Sequence, residues 1–144
     1  MWDAAGRLHP FLVHFPVALI LSAFVTEVFA GARRSERLGD AAAVMVTIAA
    51  WMAILAAVAG FARAGSITVE PELQSTFVVH RIAGIATPVL AFLAAGLVAG
   101  VRRSGQVWEL FLYRAVLALA AIAAAIAGHH GAELVYGAHF FPLW

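Results

Sequence analysis

The stretch "PFLVHFPVALILSAFVTEVFA", Pro10–Ala30, decides the fold. Crossing the hydrocarbon of a bilayer as a helix takes roughly 20 apolar residues, and this stretch has that length with one carboxylate, Glu27, and one histidine, His14. It is longer than a signal-peptide core and lacks a clear A-x-A site, so it reads as a retained helix. Three comparable stretches follow, about Ala41–Phe61, Phe77–Val101 and Val107–His130. Composition agrees: of 144 residues, 64% are hydrophobic and 12% charged, too few charges to cover a soluble core. The expected fold is all-α, a four-helix transmembrane bundle of antiparallel up-down topology. It forms a single integral membrane domain over 1–144, with spans at about 10–30, 41–61, 77–101 and 107–130. No solenoid-type repeat is evident.

The separators are "GARRSERLGD", "RAGSITVEPELQST" and "RRSGQ". Arg33, Arg34, Arg37, Arg102 and Arg103 lie in the first and third, against Arg7, Arg63 and Arg81 on the other side. The positive-inside rule then places both termini on the outer, non-cytoplasmic face of the membrane. "VEPEL" reads as a helix start, with Pro71 in its first turn and acidic residues near the positive end of the dipole. Trp2, Tyr136, Phe140, Phe141 and Trp144 would make an aromatic belt at the outer interface. A net charge of +1 gives no footprint for nucleic acid, and the lack of cysteine excludes thiolate metal sites and covalent c-type haem.

Four antiparallel spans bring all six histidines to one membrane face: His9 and His14, His80, and His129, His130 and His139. His14, His80 and His129 have the best claim to point inward, each with a small residue one turn deeper (Ala18, Gly84 and Ala125). His9 is expected to finish the helix at the interface, with Pro10 starting it and Pro16 freeing a carbonyl beside His14. His130 sits about 100° round from His129, so only one of the two should face inward. Glu133 shares the face of His129 if the helix persists past Gly131. Deeper, Glu27 and Arg114 are expected to pair, as charges inside a bilayer do. Pro88 should bend the third helix beside Thr87. "GLVAG", Gly96–Gly100, reads as a helix-packing signature. The second helix has no ionisable residue between Asp40 and Arg63 and reads as scaffolding.

"HPFLVHFPVAL" at His9–Leu19, "HRIAG" at His80–Gly84 and "GHHGAELVYG" at Gly128–Gly137 together resemble a bacterial membrane family, domain of unknown function 2231. The likeness covers nearly the whole chain. Ala132 stands where the family's last motif usually has a second glycine. The resemblance implies a four-helix inner-membrane protein, with electron transfer at the outer face suggested by relatives joined to Rieske-type or c-type cytochrome modules. It puts His9, His14, His80, His129 and Glu133 on motif positions and favours His129 over His130.

Three chemistries follow. The first is a haem b held by two of His14, His80 and His129, with His80 and His129 ranked first and Arg7 and Arg81 available to its propionates. Such a subunit would link the quinone pool with a periplasmic redox partner. The second is a zinc or copper site from His14, His80 and His129, with Glu133 as fourth ligand, and with His9 on the same face. The third is a cofactor-free accessory subunit anchoring a larger redox complex. No hydrolase or phosphate-binding motif is present, which points to an electron-carrying or accessory subunit rather than a stand-alone enzyme.

Overall fold

The computed structural model describes residues 2–137. His139, Phe140, Phe141 and Trp144, and the side chain of Trp2, lie outside the described residues, and Tyr136 is an exposed aromatic near the end of the last helix. The described residues form five α-helices: α1 Trp2–Leu12, α2 His14–Arg33, α3 Glu36–Ala64, α4 Gln74–Ser104 and α5 Val107–Tyr136. Four segments are long and apolar enough to cross a membrane: Gly6–Arg33, which joins α1 and α2, then Glu36–Ala64, Pro71–Ser104 and Val107–Tyr136. Each is longer than its apolar core, because helix continues into the polar flanks at both ends.

The first span corrects one expectation. Pro10 does not start the helix; it lies inside α1. The irregularity comes instead at Val13, between α1 and α2. Pro16 has no N–H for the carbonyl of Leu12, four residues back, and its ring crowds that carbonyl. Helical hydrogen bonds on either side persist, from Val13 N to His9 O at 3.1 Å and from Val17 N to Val13 O at 3.3 Å. "VEPEL" behaves as expected, with a single 3-10 turn at Pro71–Leu73 leading into α4. Pro88 is accommodated within α4, where the Thr87 hydroxyl donates to the carbonyl of Ala83 at 2.8 Å. That is not the carbonyl of Gly84, the one Pro88 frees.

Packing closes a ring: α2 on α3, α3 on α4, α4 on α5, and α5 back on α2, with α1 leaning on α3. The first and third spans therefore sit diagonally across the bundle. The core is built largely of alanine, with Ile20, Ala49, Ala91 and Ala120 in one layer and Ala23, Val46, Ala94 and Leu117 in the next. In lipid, such small side chains let helix backbones approach closely. Within the chain the Gly96–Gly100 signature packs no helix: a Cβ at Gly96 would meet nothing within 4 Å, and Gly100 faces Glu109 at the start of the next helix.

The two halves of the ring are copies of one hairpin. Left-handed backbone occurs at Arg34 (φ 50°) and Gly105 (φ 66°), each followed by an extended N-cap, Ser35 or Gln106. Ile20, Ala23, Val46 and Ala49 are fully buried, and so are Ala91, Ala94, Leu117 and Ala120. Every one of these pairs is separated by the same interval (105 − 34, 91 − 20 and 120 − 49 are all 71). The hairpin α1–α3 is thus repeated as α4–α5, a duplication of whole hairpins rather than a solenoid repeat.

Candidate functional site

The histidine end of the bundle carries the same correspondence into chemistry. His9 Nδ1 lies 2.9 Å from the carbonyl oxygen of Ala56, and His80 Nδ1 lies 2.9 Å from that of Ala127. A carbonyl only accepts, so each imidazole donates its Nδ1–H, and in its neutral form Nε2 is the nitrogen that can ligate. One turn beyond each carbonyl stands a glycine on which the ring rests. A Cβ at Gly60 would come 2.8 Å from His9 Cε1, and one at Gly131 would come 3.1 Å from His80 Cε1. The two rings then face each other across the diagonal, with centroids 6.1 Å apart and planes 77° apart.

Close helix contact supports this arrangement. A Cβ at Gly6 would stand 2.9 Å from the backbone nitrogen of Arg63, so only glycine lets the start of the first span lie against the end of α3. α1 packs on α3 and makes no substantial contact with α5. The first hairpin is therefore tight within itself at this end.

Several site expectations change accordingly. His14 is exposed, on the same outward face as Ala18, and His9 takes the inward place assigned to it. The two are five residues apart, about 140° round a helix, so only one of them can face inward, and Val13 between them keeps helical dihedrals (φ −63°, ψ −25°). The ring of His80 lies beside that of His9. Ala125 is exposed and Gly84 only half-buried, so the small residues expected beneath the rings do not form one slot. Arg7 and Arg81 are at the histidine end and exposed, with the Arg81 guanidinium 5.6 Å from the centre of the Phe77 ring. α3 is more than scaffolding, because it supplies the carbonyl of Ala56 and the bare backbone of Gly60. A signal for these residues was present in the sequence: His, then Ala after 47 residues, then Gly four further on, occurs once in each half.

The helix also runs through Gly131 to Tyr136, which keeps Glu133 on the surface of α5. Glu133 Oε1 lies 3.4 Å from His129 Nε2, and Oε2 lies 2.7 Å from His130 Nδ1. Both neighbouring histidines reach the same carboxylate, and His130 makes the shorter contact.

At the opposite end the expected intramembrane pair is present. Arg114 Nε donates to Glu27 Oε1 at 2.8 Å, with the carboxylate nearly buried. A Cβ at Gly31 would come 3.2 Å from Arg114 Nη2, so the glycine gives the guanidinium its room. A cavity of about 290 Å³ lies beside the pair, lined by Phe24, Glu27, Gly31, Arg114 and Leu117. Asp40 and Arg102 make a second, exposed ion pair at 2.5 Å.

Four apolar spans, a duplicated hairpin and half-buried histidines gathered at one end define a multi-pass helical membrane protein with a polar site on the bundle axis. The chain belongs to the family described as predicted membrane protein (DUF2231), whose model matches residues 6–140. This is the family that the three histidine motifs resemble. Comparison with curated proteins and with solved structures finds no match.

Proposed function

We propose that this chain is a membrane electron-transfer subunit that holds a haem b between His9 and His80 at the outer end of the bundle. The observation that carries the reading is the pair itself: two imidazoles on diagonal helices, each turned by its Nδ1–H toward a backbone carbonyl. Such a hydrogen bond on the far nitrogen is how metal-ligating histidines are fixed in tautomer and orientation. Two imidazoles on opposite sides of one ion, with metal–nitrogen bonds of about 2 Å, set their ring centres about 6 Å apart, against about 5 Å around a tetrahedral ion. The separation of 6.1 Å would leave room for one ion between the two rings. No cluster of three donors includes either residue among the described residues, which suits an axial pair better than zinc, whose sites take three or four protein ligands. Arg7, Arg63 and Arg81 lie at the same end of the bundle, where guanidinium groups would serve the haem propionates.

When bound, the haem would supply one-electron chemistry, and its being held by both His9 and His80 would favour electron carriage over oxygen binding. The residues of this chain orient the two rings, hold their protons on Nδ1 and keep the site on the axis. The quinone pool and a redox protein at the outer, periplasmic face of the bacterial inner membrane are the proposed partners.

The same two hydrogen bonds support a second reading, in which His9 and His80 serve only as clamps between helices of an accessory subunit. Purification after expression with haem supplied separates the two. One haem per chain, measured on the same sample as protein and metals, is the expected result; a folded, haem-free protein would leave only the clamps.

A further inference from the structure

We propose that His129, His130 and Glu133 form a second site, independent of the axial pair, that binds a divalent transition ion of the zinc class. One ligand atom from each of the three lies within 4.8 Å of the others. They occupy one stretch of α5, and the carboxylate reaches both imidazoles, with one oxygen toward each. Two nitrogens and a carboxylate oxygen are the donor set of zinc sites that keep a position open. The ring centres of His129 and His130 are 5.2 Å apart, shorter than the 6.1 Å of His9 and His80. That is the spacing of two ligands on adjacent positions of a tetrahedral ion rather than on opposite sides of one.

Electrostatics points the same way. Glu133 is only 15% exposed in its side chain, and a carboxylate so placed requires positive charge or donated hydrogen bonds around it. A divalent ion meets the carboxylate charge and both imidazole lone pairs at once, whereas a proton meets one at a time. The helix makes this possible by continuing past Gly131, since residues three and four apart share a face. Gly131 itself is taken up by the contact with His80 on the neighbouring helix. The two sites therefore adjoin but use different atoms.

The test is titration of untagged, chelator-treated protein in detergent with zinc ion, read by calorimetry and by the thermal melt. Wild type is expected to bind one zinc per chain and to melt at higher temperature with it, as a ligand of the folded state requires. Glu133→Gln and His130→Ala should each weaken binding by at least about tenfold, and the melt of Glu133→Gln should no longer respond. The double variant His9→Ala with His80→Ala should still bind zinc, so that failure of the haem reading leaves this one standing. No saturable zinc binding by wild type, or binding that survives Glu133→Gln and disappears with His9 and His80, would overturn the proposal.

Discussion

The two ends of the bundle treat the duplicated hairpin differently. At the histidine end the halves agree: His9 and His80, Ala56 and Ala127, and Gly60 and Gly131 occupy matching places and make matching contacts. At the arginine end they diverge. Glu27 corresponds to Val98, and Arg114 to Ala43, so one half gives the carboxylate and the other the guanidinium. A site on the axis between two copies needs the same residue from each, whereas an ion pair across their interface needs opposite ones. Symmetry retained at one end and lost at the other thus separates a shared centre from a structural fastening.

The comparison can be broken at either end. The largest effect is expected at the axis, where His9→Ala or His80→Ala should each abolish haem binding outright, measured as haem per chain. At the other end, Glu27→Gln or Arg114→Leu should each destabilise the fold by about 3–5 kcal/mol, because each leaves one charge in apolar surroundings without its partner. The double variant should cost less than the two single costs added together, and haem content should be unchanged; unfolding in mixed micelles reads the first and the visible spectrum the second. A loss of haem in these variants would mean that the two ends are not separate.

A smaller effect sharpens the likeness of the halves. Gly60→Ala and Gly131→Ala both press a methyl against an imidazole, an overpacking that costs about 1–3 kcal/mol. Gly60→Ala should be the worse, since its contact is 2.8 Å against 3.1 Å, and the melting temperatures should rank that way. The smallest effects belong to surface groups. His14→Ala should change stability by less than about 0.5 kcal/mol and leave haem in place. Asp40→Asn, at the exposed pair with Arg102, should cost no more than about 1 kcal/mol.

Much of the fold was legible because membrane helices announce themselves by length and apolarity, and the Glu27–Arg114 pair because charges in lipid need partners. The facing of the histidines was not. His9 and His14 lie about 140° apart on a helix, so only one can face inward; spacing does not say which, and it is His9 that does, with His14 exposed. The partners of the rings were hidden for a different reason. They are a carbonyl and a bare backbone, and neither Ala56 nor Gly60 carries a side chain whose chemistry could be read. Only the repeated spacing in the second half reveals them. Glu133 was left open because Gly131 reads as a helix end; the helix runs on through it.

The most direct test of the central claim is low-temperature electron paramagnetic resonance of the oxidised, purified protein beside its His9→Ala, His80→Ala, His14→Ala and His129→Ala variants. Imidazole planes 77° apart predict a low-spin ferric signal of strong anisotropy, kept in His14→Ala and His129→Ala and lost in His9→Ala and His80→Ala. A low-spin signal that survives His9→Ala, or one that disappears with His14 or His129, would contradict the account.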